Sequence, residues 1–246
     1  MKILALIPAR GGSKGVPKKN IKLLDNFPLL SFTVAAAKLS TKINRVIVST
    51  DSQEIADIAL EFNAEVPFLR PNEFAGDKST DIDYITHALD WLKCNENYIP
   101  DLIVLLRPTT PLREVIIIDK AIEKLLKNEE ATSLRSSHLS SESPFKWFSL
   151  KNKFYTAICD NYDLEDTNKP RQFFAETYIP NGYVDIIIPG LIKKNNSLFG
   201  NKILGFVTPI GYEIDTIDEF EYIEYRIMKY RTELLPYLKN VRNKND

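Results

Sequence analysis

The sequence is poor in the residues and patterns that identify several large classes of protein. It has only two cysteines in 246 residues, and the wide separation of Cys94 and Cys159 excludes the closely spaced ligand pairs of structural zinc sites. We interpret both as reduced thiols, which favours an intracellular, cytoplasmic protein. The net charge is −1, so the chain lacks the strongly basic character of a nucleic-acid-binding protein. No apolar run approaches the ~20 residues of a transmembrane helix, and we expect neither a signal peptide nor a membrane partner.

Two familiar nucleotide-binding motifs are also missing. The sequence has no G-x-G-x-x-G, which is typical of dinucleotide-dependent dehydrogenases, and no G-x-x-x-x-G-K-[ST], which is typical of P-loop NTPases. Any nucleotide site in this chain must therefore use a different loop.

Such a loop is present near the start of the chain, directly after an apolar run. Residues 3–7 (ILALI) show no polar alternation, which predicts a strand buried on both faces, as in a parallel sheet. The loop that follows holds three glycines and four cations: Gly11, Gly12, Gly15, Arg10, Lys14, Lys18 and Lys19. Backbone N–H groups in such loops form concavities that bind anions, and the cations favour a polyphosphate. The alternative is a solvated turn with surface lysines.

Apolar runs alternate with helical patterns along the rest of the chain, which predicts a doubly wound α/β sheet in one domain, residues 1–246. Further strands are predicted at residues 45–49, 65–69, 101–106, 131–135, 183–188 and 203–207. Helices are predicted at residues 28–39, 55–62, 82–92, 116–126 and 220–230. Ligands of such sheets bind beyond the carboxyl ends of the strands, where the glycine-rich loop, Thr50 and Asp51 are expected.

Two later loops carry further candidates. In residues 70–81, Arg70, Ser79 and Thr80 could bind a base, ribose or phosphate, although Ser79, Thr80 or Asp81 could instead only cap the next helix. In the segment RPTTPLR, Arg107 and Arg113 could hold a carboxylate or phosphate in a forked, bidentate way, and Thr109 offers a hydroxyl. Arg113 is equally compatible with a structural pairing to a helix acid.

The segment Glu213-Ile214-Asp215 follows the last predicted strand. Residues i and i+2 of an extended segment point to the same face, so both carboxylates would be presented together while Ile214 faces the core. Carboxylate oxygens suit Mg²⁺, which also takes oxygens from a substrate phosphate. The alternative is that the segment only caps the following helix.

The segment PARGGSKGVPKKN resembles the opening signature of the cytidylyltransferases that activate sialic-acid-like sugars. This family includes the CMP-N-acylneuraminate synthetases and their legionaminate and pseudaminate relatives. RPTTPLR is similar to the family's Q-P-T-S-P-L-R, with Arg107 replacing the glutamine that faces the sugar. Arg171-Gln172 and the following P-N-G resemble a further family segment, and EIDT resembles D-[IV]-D-T, with Glu213 replacing the first aspartate.

The resemblance implies a Rossmann-like nucleotidyltransferase fold, with a mostly parallel central sheet flanked by helices. It also implies a homodimer formed through an extension at residues 136–176, and transfer of a cytidylyl group from CTP to the anomeric hydroxyl of a nine-carbon keto-acid sugar. The replacement at Arg107 leaves the sugar undecided. Alternatives are a same-fold enzyme for another sugar, such as 3-deoxy-manno-octulosonate, and a nucleotide-binding module without turnover.

Residue roles follow from the same resemblance. Catalysis is expected from Arg10, Lys14, Lys19 and Asp215, and Mg²⁺ binding from Asp215 and Glu213. Nucleotide contacts are expected from Ala9, Arg10, Gly11, Ser13, Asn20, Arg70, Ser79 and Thr80. Sugar contacts are expected from Arg107, Thr109, Lys146, Arg171, Gln172 and Asn181. Asn181, followed by a glycine, is by itself equally a turn signal.

Overall fold

The secondary structure is an α/β alternation, seen here in a computed structural model that describes residues 1–195 and 197–245. The described residues form ten strands: β1 (Ile3–Pro8), β2 (Leu23–Leu24), β3 (Phe27–Pro28), β4 (Arg45–Ser49), β5 (Leu102–Leu105), β6 (Ser133–Leu139), β7 (Phe148–Lys151), β8 (Phe154–Ala157), β9 (Tyr178–Ile187) and β10 (Ile203–Val207). They also form seven α-helices: α1 (Leu29–Leu39), α2 (Gln53–Glu61), α3 (Asp81–Glu96), α4 (Val115–Leu126), α5 (Pro189–Asn195), α6 (Ile217–Tyr230) and α7 (Leu234–Asn245).

The central sheet has six strands in the order β10-β6-β9-β5-β1-β4. β1 pairs in parallel with β4 and β5, and β10 pairs in parallel with β6. Among the described strands of this sheet, only β9 runs antiparallel to its neighbours. The predicted mostly parallel α/β sheet is therefore confirmed, and the carboxyl ends of β1, β4 and β5 meet at one edge.

Strand β1 is buried on both faces, as its uninterrupted apolar run predicts. Ile3, Ala5 and Ile7 belong to one apolar cluster, which includes side chains of α1, α4 and α7. Leu4 and Leu6 belong to a second cluster on the opposite face, which includes side chains of α3. Helices thus cover both faces of the sheet, and β1 emerges at its edge with a fixed position for the loop that follows.

The prediction of a strand at residues 65–69 is wrong. Only a single parallel bridge forms there, between Ile47 and Glu65. Pro67 lies in the middle of this run and has no N–H to donate, which prevents a continuous ladder. The chain nevertheless stays beside β4, because the N–H of Arg70 donates to the carbonyl of Thr50 over 2.7 Å.

Other predicted boundaries also change. β6 continues to Leu139, so residues 136–139 belong to the central sheet and the excursion from it starts at residue 140. β9 starts at Tyr178, five residues before the predicted strand. Within α6, Phe220, Ile223 and Ile227 are buried, whereas Tyr230 is 60% exposed.

The excursion carries a separate hairpin of β7 and β8. Several of its large apolar side chains are exposed: Trp147, Phe148, Leu150, Phe154, Tyr155 and Phe173. Among the described residues, no helix combines the length and the apolar character needed to cross a membrane.

Candidate active site

A cavity of about 570 Å³ lies at the sheet edge where β1, β4 and β5 end. It has a volume typical of small-molecule sites. The sequence-predicted residues that line it are Arg10, Ser13, Lys14, Lys19, Asn20, Arg70, Ser79, Arg107, Thr109 and Asp215. The other predicted site residues lie outside its lining: Ala9, Gly11, Thr80, Lys146, Arg171, Gln172, Asn181 and Glu213.

The glycine-rich loop and the segment after β10 meet in this cavity, although they lie some 200 residues apart in the chain. The Lys19 ammonium donates to the carbonyl of Ile214 over 2.6 Å and to the Asp215 carboxylate over 3.0 Å. A Cβ added to Gly15 would lie 2.0 Å from the carbonyl oxygen of Asp215. Only glycine permits so close an approach of the two backbones.

The loop is also fixed from below by polar contacts. The N–H of Gly11 donates to the Asp51 carboxylate over 2.8 Å, and the Asn20 amide donates to the carbonyl of Arg10 over 2.9 Å. The N–H of Ala9 donates to the carbonyl of Ser49 and thereby extends the pairing of β1 with β4. Asp51, which follows β4, therefore helps to hold the glycine-rich loop in position.

The cations of the loop face an acid that the sequence patterns did not single out. Lys14 contacts the Asp77 carboxylate at 2.5 Å, and Arg10 contacts it at 3.2 Å. The hydrogen bond from Lys14 holds the pKa of Asp77 below its usual value. Asp77 lies in the loop that precedes α3 and lines the cavity.

Arg70 is buried beneath the cavity. Its guanidinium donates to the hydroxyl of Ser49 over 3.1 Å and to the carbonyl of Ser49 over 2.5 Å, and it stacks on the Tyr84 ring at 4.5 Å. Burial lowers the pKa of Arg70. Tyr84 also lines the cavity, and no sequence motif identified it.

Arg107 is held between two acids. Its guanidinium donates to Asp81 over 2.5 Å and to Asp185 over 2.9 Å, and the Tyr84 hydroxyl donates to Asp81 over 2.9 Å. Burial lowers the pKa of Arg107, but the charges of Asp81 and Asp185 outweigh burial and raise it overall. Arg107 is thus fixed and partly neutralised before any ligand arrives.

Arg113 is only 1% exposed and does not line the cavity. It donates to the carbonyls of Tyr183, Gly182 and Arg107 over 2.6–2.9 Å. These bonds join the loop after β5 to β9, which supports a structural role. The expected partner was a helix acid, whereas the observed partners are backbone carbonyls and the hydroxyl of Thr33 on α1.

Thr80 and Asn181 are engaged within the fold. The N–H and hydroxyl of Thr80 donate to Asp83 over 2.7 and 2.9 Å at the start of α3, which supports the capping alternative. The Asn181 side chain is buried and donates to the Thr208 hydroxyl over 2.7 Å. The next residue, Gly182, has φ +56°. Both residues nevertheless lie inside β9, where its pairing with β6 shifts register, so the turn considered as the alternative for this Asn-Gly pair is wrong.

The two carboxylates of the acidic segment line different cavities, so the structure does not support their predicted presentation at one site. Asp215 has a 70% exposed side chain and lines the main cavity. Glu213 lines a second cavity of about 340 Å³, and burial, with the charge of Asp215 added, raises the pKa of Glu213. Ile214 between them is fully buried, as predicted. Thr216, rather than either acid, caps α6.

The residues of the cavity are compatible with Mg²⁺ binding, and Asp215 is the carboxylate that would hold the ion. Among the described residues no three His, Cys, Asp or Glu side chains form a metal cage. Mg²⁺ beside substrate phosphates is commonly held by only one or two carboxylates, with phosphate and water oxygens completing its shell. An exposed carboxylate next to a cationic loop meets that requirement.

The residues of the excursion that were predicted to bind the sugar lie outside the cavity, and two of them make hydrogen bonds there. The Lys146 ammonium donates to the carbonyl of Lys169 over 3.0 Å, and Arg171 donates to the carbonyl of Ser140 over 2.6 Å. Gln172 lies in the same short 3₁₀ turn as Arg171. Within one chain, none of these three residues reaches the main cavity.

The chain is similar to known proteins over most of its length. A cytidylyltransferase family model matches residues 4–229. N-acylneuraminate cytidylyltransferase of Escherichia coli is 32% identical over 221 residues, covering 90% of this chain and 50% of that protein. CMP-N,N'-diacetyllegionaminic acid synthase of Legionella pneumophila is 42% identical over 123 residues, covering 50% of this chain and 53% of that protein. The chain thus spans about half the length of these curated relatives.

A solved structure supports the fold. CMP:2-keto-3-deoxy-manno-octonic acid synthetase, complexed with CTP, matches with a TM-score of 0.70 at 15% identity, over 93% of this chain and 99% of that one. The nucleotidyltransferase fold expected from the sequence is therefore confirmed.

Proposed function

Because the chain belongs to the cytidylyltransferase family, we propose that it transfers a cytidylyl group from CTP to a sialic-acid-like nonulosonic acid. The anomeric oxygen of the sugar attacks the α-phosphorus of CTP and gives up its proton to solvent. The bond between the α-phosphorus and the oxygen that bridges to the β-phosphorus breaks, and diphosphate leaves with that bonding electron pair. The observation that carries this proposal is that Lys14, Lys19 and Asp215 line one cavity at the sheet edge.

The proposed roles divide the cavity into two ends. Arg10, Lys14 and Lys19 neutralise the triphosphate and the leaving diphosphate, since fixed cations placed where charge develops lower the barrier to phosphoryl transfer. Asp215 holds Mg²⁺, which when bound supplies further positive charge to the phosphates. Ser13, Asn20, Arg70 and Ser79 surround the nucleotide, while Arg107 and Thr109 face the sugar.

We also propose that the protein is a homodimer in the cytoplasm. The exposed aromatic side chains of the excursion would be buried against a second copy, and both cysteines are free thiols. Lys146, Arg171 and Gln172 would then serve the site of the partner subunit, since they lie outside the cavity of their own chain.

The dimer proposal is tested by subunit complementation. Lys14→Ala and Arg171→Ala proteins, each with reduced activity, are unfolded together, refolded and assayed as a mixture. If Arg171 acts across the interface, the mixed dimer contains one site with both side chains intact and activity rises above either parent. Activity equal to the mean of the parents, or sedimentation as a monomer, would contradict the proposal.

The activity is tested by diphosphate release, with four nucleoside triphosphates and a panel of keto-acid sugars that includes 3-deoxy-manno-octulosonate. We expect release with CTP and one nonulosonic acid. Release with only the eight-carbon sugar would identify the same-fold alternative. CTP binding without release for any sugar would identify a non-catalytic module.

A further inference from the structure

We propose that Asp77 is a built-in competitor for the phosphates of the nucleotide, and that it weakens the binding of both CTP and the product diphosphate. This inference rests on the proposed function, because it concerns the same cationic loop. It assigns a role to a residue that neither the motifs nor the resemblance identified.

The contacts of Asp77 place its carboxylate on the cations expected to meet the phosphates. One oxygen lies 2.5 Å from the Lys14 ammonium and the other lies 3.2 Å from the Arg10 guanidinium. The same Arg10 nitrogen also approaches the carbonyl of Ala75 at 3.5 Å. A carboxylate that bridges two cations resembles a phosphate in charge and in hydrogen-bond acceptors.

The loop that carries Asp77 is built to hold this position. The Ser79 hydroxyl donates to the carbonyl of Glu73 over 2.9 Å, which closes the loop around Asp77. Phe74 packs against the His87 ring of α3 with 5.7 Å between ring centroids. Asp77 is nevertheless half exposed, at 51%, so an arriving anion can reach the same cations and compete for them.

Binding of a triphosphate must therefore break or share the contacts of Asp77. An exposed ion pair contributes little by itself, so we expect each lost pair to change affinity by roughly two- to fivefold. Because Asp77 pairs with two cations, removing its charge should tighten CTP and diphosphate binding by about four- to 25-fold in total. The gain should shrink as salt is raised, because exposed charges are screened.

The chain offers a matched control on the same loop. Lys18 contacts Glu54 at 2.9 Å, and the exposed fractions of these side chains, 69% and 55%, are close to the 77% and 51% of Lys14 and Asp77. Neither Lys18 nor Glu54 lines the main cavity. Glu54→Gln thus removes a comparable pair without touching the proposed phosphate site.

The experiment measures CTP and inorganic diphosphate binding by calorimetry for the wild type, Asp77→Asn and Glu54→Gln, with product inhibition by diphosphate as a kinetic readout. We expect Asp77→Asn to bind both anions more tightly and to be inhibited more strongly by diphosphate, while Glu54→Gln matches the wild type. Thermal unfolding of all three proteins establishes that each is folded.

The inference would be overturned if Asp77→Asn bound the two anions as tightly as the wild type or more weakly. An equal gain in affinity in Glu54→Gln would also overturn it, and so would the absence of binding of either anion to all three proteins. The use of diphosphate separates this result from the fate of the proposed function. If no sugar supports turnover but Asp77→Asn still binds diphosphate more tightly, the inference stands and the proposed reaction falls.

Discussion

Gly15 offers the most local test of how the site is assembled. In Gly15→Ala the new Cβ would lie 2.0 Å from the carbonyl oxygen of Asp215 and 3.2 Å from its carbonyl carbon. Both are backbone atoms, so no side chain can rotate away to make room. The loop and the acidic segment must therefore move apart.

The size of the displacement follows from these distances. Ordinary van der Waals contact of a Cβ begins near 3.4 Å, so relief requires a movement of about 1.4 Å, the difference between 3.4 and 2.0 Å. A misplacement of about 1 Å in an active site can cost on the order of 100-fold in rate. Overpacking of this kind also destabilises a fold by about 1–3 kcal/mol.

Gly12→Ala is the matched control, because a Cβ at Gly12 would meet nothing within 4 Å. The assay is CTP-dependent diphosphate release at saturating sugar, together with urea unfolding of both variants. We expect kcat/KM to fall by about 100-fold in Gly15→Ala and to stay close to wild type in Gly12→Ala. Equal activities of the two variants would refute the close approach of the two segments.

Three further predictions test separate parts of the account. Lys14→Ala should lower kcat/KM for CTP by on the order of 10²–10³-fold, whereas Lys18→Ala, outside the cavity, should change it less than about twofold; equal losses in steady-state kinetics would contradict the assignment. The pKa of Glu213 is raised mainly by burial, so wild type should lose stability relative to Glu213→Gln as pH rises above the ordinary glutamate value of about 4.3. Urea unfolding at pH 4 and pH 7 checks this, and a pH-independent difference would refute it. Thr216→Ala should cost about 1 kcal/mol in the free energy of unfolding, because Thr216 caps α6; an unchanged midpoint would contradict that role.

The parts of the fold that sequence patterns predicted well are those set by local hydrophobicity. β4 and β10 have the predicted bounds, since each is a short apolar or β-branched run between polar segments. The same reasoning failed at residues 65–69, where a similar run contains Pro67. Periodicity also gave no information about direction, so the antiparallel placement of β9 could not be predicted.

In the candidate site, too, the sequence identified some residues and missed others. The cations of the glycine-rich loop and Asp215 were identified because their residue types match the chemistry of phosphates and metals. The acids that hold the arginines were missed, because Arg107 lies 26 residues from Asp81 and 78 from Asp185. Such pairs exist only once the sheet has brought distant segments together. A single aspartate in the apolar strand β9 was the one available signal for Asp185.

The most direct test of the central claim is a crystal structure with CTP and Mn²⁺, in which anomalous scattering locates the metal. We expect the triphosphate over the glycine-rich loop, in contact with Lys14, and the metal bonded to Asp215. A nucleotide bound elsewhere, or a metal held without Asp215, would contradict the central claim.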